Sequence, residues 1–315
     1  MRNRFLIMLL AALVTVTFAG CGKTVDREAA PQDIPTEAPF SEEPAPQSFR
    51  RTTVYYRSDE GFIVPVTKLI PWEEGIARAA LSCLISTPVN LSSARELGLE
   101  TLIPDGTGFE LSIIDGNAKV DLKGMPPLCS RETEDAMIRA IVNTLTEFPT
   151  VNTVTIVREG SGGALENGAL LPVRQSAYAL NPEEPELETS AFGEGVTLYF
   201  PNSSGRLMVP VTRRMQAGAG LYSTVAALIS GAASPRLLNC FPEDTLLLGA
   251  ALENGVVTVN LSEDFRRAEQ TEGMLSLAAR TLELTLAERF DFDTLRLQIN
   301  GVDYIFDDAE PLPEG

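Results

Sequence analysis

The segment VPVT occurs twice in this chain, and the internal repeat to which it belongs constrains the fold more than any other feature. Each copy follows an apolar residue and precedes a basic one, and the two copies lie 145 positions apart. Further landmarks recur in the same order at offsets between 138 and 145. This regularity predicts two tandem domains of one fold. The motif residues are Val64, Pro65, Val66 and Thr67 in the first copy and Val209, Pro210, Val211 and Thr212 in the second.

The recurring landmarks predict the same hairpins in both halves. In the first half, Val, Tyr and Ile surround a polar turn that ends in glycine, which favours a β-hairpin over residues 53–57 and 62–67. A second hairpin is predicted over residues 109–114 and 118–122, around Asp115-Gly116-Asn117. Pro65 and Pro210 cannot donate a ladder hydrogen bond, so we expect them at a sheet edge or a strand end.

Two helices and a final strand complete each predicted copy. The first helix is expected to begin near Trp72, after Pro71, and the second is capped by Ser130 or Thr133. The order β-β-α-β-β-α-β predicts an α+β fold in which a mixed sheet carries helices packed on one face. The core stripe of the second helix is Met137, Ala140, Ile141, Leu145 and Phe148 in one half and Met274, Leu277, Ala278, Leu282 and Leu286 in the other.

The N-terminus has the pattern of an export signal. Arg2 and Arg4 precede an uncharged apolar stretch over residues 5–18, which is too short for a comfortable membrane span. The sequence Phe18-Ala19-Gly20-Cys21 resembles a bacterial lipobox, although lipoproteins more usually carry Leu at the Phe18 position. The resemblance implies lipidation of Cys21. The alternative is an ordinary secretory signal or an uncleaved anchor, and in either case the rest of the chain lies outside the cytoplasmic membrane.

Composition shifts indicate the domain boundaries. We expect a signal peptide over residues 1–20 and an acidic, Pro-rich tether over 21–51, which has too few large apolar residues to form a core. Two domains follow over residues 52–180 and 195–308. An acidic, Pro-rich linker over 181–194 joins them, and residues 309–315 form a tail.

The order of these motifs resembles the GerMN domain family over nearly all of residues 53–305. The two VPVT motifs carry the resemblance most specifically, together with the Tyr-aromatic pair before them and the Gly-x-x-x-Val-x-Leu segment after them. The resemblance implies a non-enzymatic protein with a fold akin to the ring-building modules of secretion systems. It also implies a role in sporulation and germination, in support of a complex that spans the space between mother cell and forespore.

The chemistry available to this chain is limited because it contains no histidine. That absence removes the commonest general base and the most frequent zinc ligand. Cys83, Cys129 and Cys240 lack C-x-x-C spacing; Cys83 is predicted to lie in the core, and a Cys129–Cys240 disulfide is a minor alternative. We therefore predict no catalytic, cofactor-binding or metal-binding residues.

Carboxylates are the remaining reactive groups, and they define the enzymatic alternative. A wall-cleaving glycosidase could use two of the 43 acidic residues. However, Glu132, Glu134 and Asp135 are interpreted as acids at a helix N-terminus or on a solvated face, as are Glu73-Glu74 and Glu263-Asp264. Trp72 could stack on a sugar, but it is more simply a cover for the core.

Two functional hypotheses from different classes remain. The first is a lipid-anchored protein on the outer face of the cytoplasmic membrane that organises envelope or sporulation complex proteins, with self-association a further possibility. The second is a lipoprotein that binds cell-wall glycan or a solute. A net charge of −18 argues against nucleic acid as a partner, because phosphates would be repelled.

Overall fold

The structure, a computed structural model, describes residues 49–71, 75–184 and 193–305, all of which belong to one compact unit of the chain, Pro46–Gly315. Trp72 and Cys21 lie outside the described residues, as do the predicted signal peptide and most of the tether. In the three described ranges, no helix combines the length and the apolar character needed to cross a membrane.

The first repeat contains the predicted elements and a short insertion. Its elements are β1 (Phe49–Ser58), β2 (Ile63–Pro71), α1 (Ile76–Ser82), α2 (Pro88–Arg95), β3 (Leu99–Glu100), β4 (Gly108–Ile114), β5 (Asn117–Lys123), α3 (Arg131–Thr146), β6 (Thr153–Arg158), β7 (Gly163–Ala164), β8 (Leu170–Leu171) and β9 (Val173–Gln175). The insertion is α2 with β3, which the sequence pattern did not predict.

The second repeat has the same order except that it lacks α2, β3 and the short β7–β8 pair, and it has a 3-10 helix before its long helix. Its elements are β10 (Glu194–Pro201), β11 (Met208–Met215), α4 (Leu221–Ile229), β12 (Leu247–Glu253), β13 (Val256–Leu261), a 3-10 helix (Glu263–Gln270), α5 (Met274–Ala287), β14 (Thr294–Ile299) and β15 (Val302–Asp303).

Each repeat contains a four-stranded mixed sheet and a separate hairpin. The mixed sheets have the orders β4-β5-β6-β9 and β12-β13-β14-β15, and only the β5–β6 and β13–β14 pairs are parallel. The hairpins β1–β2 and β10–β11 belong to their own small sheets, and α3 and α5 pack against them. The α+β class and the two repeated domains are confirmed, while the separation of the hairpin from the mixed sheet is an addition to the prediction.

Turn chemistry explains the second hairpin of each repeat. Asp115 and Gly116 both have positive φ angles, 50° and 76°, and Asn254 and Gly255 have 51° and 76°. Consecutive positive φ angles characterise the type I′ turn, whose twist matches that of the flanking strands. A Cβ on Gly116 would lie 2.5 Å from the side-chain nitrogen of Asn152, so glycine is required there for space as well as for conformation.

Helix α3 follows the sequence logic closely. The Ser130 hydroxyl oxygen accepts the backbone N–H of Thr133 at 3.2 Å, which identifies Ser130 as the cap. The predicted stripe from Met137 to Phe148 is buried. Glu134 lies in the first turn of the helix, one of the two expected placements, but it is fully buried and accepts the backbone N–H groups of Asn167 (2.8 Å) and Ala169 (3.0 Å).

The cysteines depart from two expectations. Cys83 is only partly buried: it packs against the core on one side and lines a surface groove on the other. Cys129 is exposed and Cys240 is buried, and both are free thiols, so the disulfide alternative was wrong. Burial raises the pKa of the Cys240 thiol to about 11, which keeps it protonated and unreactive at neutral pH.

Candidate interaction site at the junction of the repeats

The two VPVT motifs lie in equivalent edge strands. Pro65 is paired in register with Tyr55, and Pro210 is paired with Tyr199. Among the strands that the structure describes, β2 lies at the edge of its sheet and β11 pairs with β10 alone, so both prolines occupy edge strands as predicted. The second copy of the motif is more buried than the first. All four of its residues are buried, whereas in the first copy only Val64 is buried, Pro65 and Val66 are partly buried, and Thr67 is exposed.

Backbone alternation explains why proline is tolerated in the motif. The N–H and C=O groups of Ile63 both bond to Asn181, so they point away from β1. In an antiparallel pair every second residue faces outward in this way, which makes Pro65 outward-facing as well. The missing N–H of the proline therefore removes no hydrogen bond to β1.

The tyrosine opposite each proline is fixed to the long helix of its repeat. The Tyr55 backbone N–H donates to the Thr144 hydroxyl oxygen at 3.0 Å, and the Tyr55 hydroxyl donates to the Glu147 carboxylate at 2.6 Å. In the second repeat, Tyr199 makes the same two hydrogen bonds, to Thr285 at 2.9 Å and to Glu288 at 2.7 Å.

These contacts form a repeated structural motif, which we call the tyrosine clamp (Tyr55, Thr144 and Glu147; Tyr199, Thr285 and Glu288). Burial, reinforced by the adjacent carboxylates, raises the pKa of both tyrosines above the ordinary range, so both hydroxyls remain donors. Thr-x-x-Glu recurs at the end of both helices at an offset of 141, and this sequence signal was missed.

Asn181 joins the two VPVT strands directly. Its side-chain oxygen accepts the Ile63 N–H at 2.8 Å, and its side-chain nitrogen donates to the C=O groups of Ile63 and Pro210, each at 2.7 Å. One amide therefore bridges β2 of the first repeat and β11 of the second.

A second set of contacts joins the turns of the two hairpins. The Glu60 carboxylate accepts the backbone N–H of Ser203 at 3.1 Å and also the Ser203 hydroxyl, and the Glu60 C=O accepts Arg236 at 2.9 Å. We call these residues, with Ile63, Asn181 and Pro210, the junction. Its polar contacts fix one repeat against the other.

The described part of the predicted linker packs on the second repeat. The Thr212 N–H donates to the Leu180 C=O at 2.8 Å, and the Glu183 N–H donates to the Thr212 C=O at 3.0 Å. The Glu183 carboxylate pairs with the Arg213 guanidinium at 2.6 and 2.8 Å and accepts the Ala233 N–H at 3.0 Å.

The charge of Glu183 is stabilised in this position. Burial opposes ionisation of the carboxyl, but the hydrogen bonds from Arg213 and Ala233 and the positive charge of Arg213 outweigh it and lower the pKa of Glu183. Residues 180–183 thus form an irregular segment that docks on β11 through two backbone hydrogen bonds and an anchored acidic side chain.

Four carboxylates of the two repeats are engaged in hydrogen bonds within the protein. The carboxylates of Glu134, Glu147, Glu183 and Glu288 are each engaged by hydrogen bonds that position backbone or tyrosine groups. Over the residues that the structure describes, no group of three Cys, Asp or Glu side chains could hold a metal ion.

The chain belongs to the Germane family, described as "Sporulation and spore germination", and the match covers residues 53–162 and 197–304, one segment in each repeat. It is 25% identical over 264 residues to the spore germination protein GerM of Bacillus subtilis (strain 168), which covers 79% of this chain and 71% of that protein.

The solved structure of the tandem GerMN domains of the sporulation protein GerM from Bacillus subtilis shares the fold. It has a TM-score of 0.58 at 22% identity and covers 81% of this chain and 92% of that chain.

Proposed function

We propose that this protein is a non-enzymatic lipoprotein, anchored through Cys21, that scaffolds an envelope-spanning complex between mother cell and forespore during sporulation or germination. The observation that carries the proposal is the match of both repeats to a sporulation and germination family. The role assigned to the relative, spore germination, agrees with it.

The junction supports a structural role. Asn181 donates to Pro210, and Ser203 and Arg236 donate to Glu60, so hydrogen bonds fix the two copies of one fold in a single arrangement. Two linked contact surfaces raise the effective concentration of the second contact after the first has formed, so weak individual interactions suffice. A tandem scaffold on an acidic tether needs no catalytic group.

The proposal is tested by anchoring and by position in the cell. Replacement of Cys21 by Ser removes the only thiol that a lipobox could modify, so we expect the Cys21→Ser variant to leave the membrane fraction. A fluorescent fusion of the unaltered chain should gather at the membranes that separate mother cell and forespore. Deletion of the gene for this protein should reduce spore formation or germination. The Cys129→Ser variant is the matched control and should remain in the membrane fraction.

Other outcomes identify the alternatives. Normal sporulation and germination after deletion, with no envelope protein recovered by affinity purification from sporulating cells, would overturn the scaffold. Saturable binding of the purified protein to peptidoglycan would favour the glycan-binding alternative. Turnover of wall material that is lost on neutralisation of one carboxylate would establish an enzyme.

A further inference from the structure

The second repeat shows how its hairpin edge receives an acidic segment. Leu180 and Glu183 hydrogen-bond to both backbone groups of Thr212, and the Glu183 carboxylate lies on Arg213 at 2.6 Å. The two backbone hydrogen bonds hold this segment on the edge strand, and the contact between carboxylate and guanidinium adds specificity. The chain thus contains an example of an acidic segment docked on a VPVT-basic edge strand.

Strand β2 of the first repeat is the equivalent edge strand, but no acidic segment of the described residues docks on it at Thr67 and Lys68. Thr67 and Lys68 correspond to Thr212 and Arg213 in the repeated motif. Thr67 is exposed, and the Leu69 side chain is 66% exposed. By the alternation set at Ile63, the backbone groups of Thr67 and Leu69 face outward, and within the described ranges nothing hydrogen-bonds to them.

A groove lies beside this edge, and it is basic in an acidic protein. It has a volume of about 450 Å³ between β2 and the helices α1 and α2. Lys68 and Arg78 line it, and neither forms an ion pair with any residue that the structure describes. Their cations lie over aromatic rings instead, at 5.6 Å from the centre of Tyr56 and 5.2 Å from the centre of Phe109.

The two repeats differ beside β2 and β11 both in the pairing of their cations and in the presence of a neighbouring helix. Where Arg213 is neutralised by Glu183, Lys68 has no carboxylate partner among the described residues, and the position of Arg78 is occupied in the second repeat by Tyr222. The insertion α2 adds a wall to the first groove through Asn90 and Ser93, and the second repeat has no such helix. Positive charge and an open edge are therefore combined only in the first copy.

We propose that this groove binds an extended acidic segment of a partner protein. The segment pairs with the outward backbone groups of Thr67 and Leu69 and places a carboxylate against Lys68 and Arg78, as Glu183 does against Arg213. The inference rests on the proposed function in requiring a protein partner, and it specifies the chemistry of the contact. In a chain with a net charge of −18, a groove lined by the cations of Lys68 and Arg78 offers favourable electrostatics for a carboxylate of a partner.

The test uses the full chain in detergent and a labelled peptide with the sequence of residues 178–184, Tyr-Ala-Leu-Asn-Pro-Glu-Glu. Fluorescence anisotropy should show saturable binding that weakens with added salt. The Lys68→Ala/Arg78→Ala variant should bind about tenfold more weakly, because charge-assisted hydrogen bonds are lost. Lys119→Ala removes an exposed cation elsewhere in the first repeat and should leave binding unchanged.

Two further arms separate backbone pairing from charge. A peptide with Gln in place of both Glu residues should lose about as much affinity as the double variant loses. Thr67→Pro removes one outward N–H and should weaken binding, while its unfolding transition shows whether the hairpin is intact.

The proposal is overturned if the double variant or the Gln peptide binds as well as its parent. It is also overturned if crosslinks join Lys68 to Glu42 or Glu43 of the same chain and added peptide does not diminish them. Binding is measured on purified protein, so its failure is distinct from a failure of the proposed function, which would appear as normal sporulation and germination after deletion.

Discussion

At the scale of single residues, Asn181 carries much of the connection between the repeats. Its backbone has a φ of 43°, in the left-handed region where Asn is better tolerated than most residues. Its amide supplies both a donor and an acceptor, which the paired N–H and C=O groups of Ile63 require. No other uncharged side chain of this size presents both groups in one plane.

We expect Asn181→Ala to lower the free energy of unfolding by about 1–2 kcal/mol more than Asn254→Ala does. Both positions have positive φ, at 43° and 51°, so the conformational cost of alanine is shared. Only Asn181 makes side-chain hydrogen bonds across the junction. Urea unfolding of the two variants measures the difference, and equal losses would show that the bridge contributes no net stability.

At the scale of elements, the tyrosine clamp connects the first strand of each hairpin with the helix that covers it. Thr144 and Thr285 are completely buried, and each receives the backbone N–H of a strand residue. A buried N–H without a partner is costly, so these threonines serve in place of a further strand. The clamp gives a physical reason for the hairpin lying outside the mixed sheet.

Replacement of Thr144 or Thr285 by Val should lower the free energy of unfolding by about 1–3 kcal/mol in either repeat. Valine keeps the shape of threonine and removes the acceptor, which leaves a buried backbone N–H unpaired. Thr144→Ser and Thr285→Ser keep the acceptor and serve as controls. Denaturant unfolding of the four variants provides the measurement, and Val variants that are more stable than the Ser variants would contradict the role of the hydroxyl.

The sequence predicted those elements whose signals are local. The apolar stripe of α3, its Ser130 cap and the Asp115-Gly116 turn each depend on neighbours within one or two turns of chain. The junction has no local signal, because the partners of Asn181 lie 118 and 29 positions away. The Thr-x-x-Glu half of the clamp was open to detection, since it repeats at the offset of the other landmarks.

Composition alone does not show how residues 181–184 are attached. Pro182 and the two acidic residues are consistent with the predicted linker over residues 181–194. In the structure, Glu183 is bound to Arg213, and Asn181 to both hairpins. The carboxylate and the amide that make the segment polar are the groups that attach it, because their partners are the Arg213 guanidinium and outward-facing backbone groups.

At the scale of the whole molecule, the response to acid is a balance of opposing effects. Protonation of carboxylates reduces the self-repulsion of a chain with net charge −18, which favours the compact state. Glu183 works in the opposite sense, because its folded-state pKa is lower than its ordinary value of 4.5. Its contribution to stability is fully present above about pH 4.5 and is lost as the pH falls through the lower folded-state pKa.

The Glu183→Gln variant isolates this contribution. At pH 7 we expect it to be less stable than the unaltered chain by about 1–3 kcal/mol, because a charge-assisted pair with Arg213 is lost. The difference should shrink below about pH 4.5, as Glu183 in the unaltered chain becomes protonated too. Urea unfolding of both proteins across this range measures it.

Glu184→Gln is the matched control for this measurement, because the Glu184 side chain is 59% exposed and lies 3.7 Å from Arg214. An exposed pair at that distance should change stability by less than about 0.5 kcal/mol at any pH. If Glu183→Gln and Glu184→Gln behaved alike, the acidic segment would contribute nothing by docking on β11. The docking of residues 180–183 on β11 would then no longer support the proposal that an acidic segment binds beside β2. The pH dependence of stability therefore also tests the chemistry of the proposed contact.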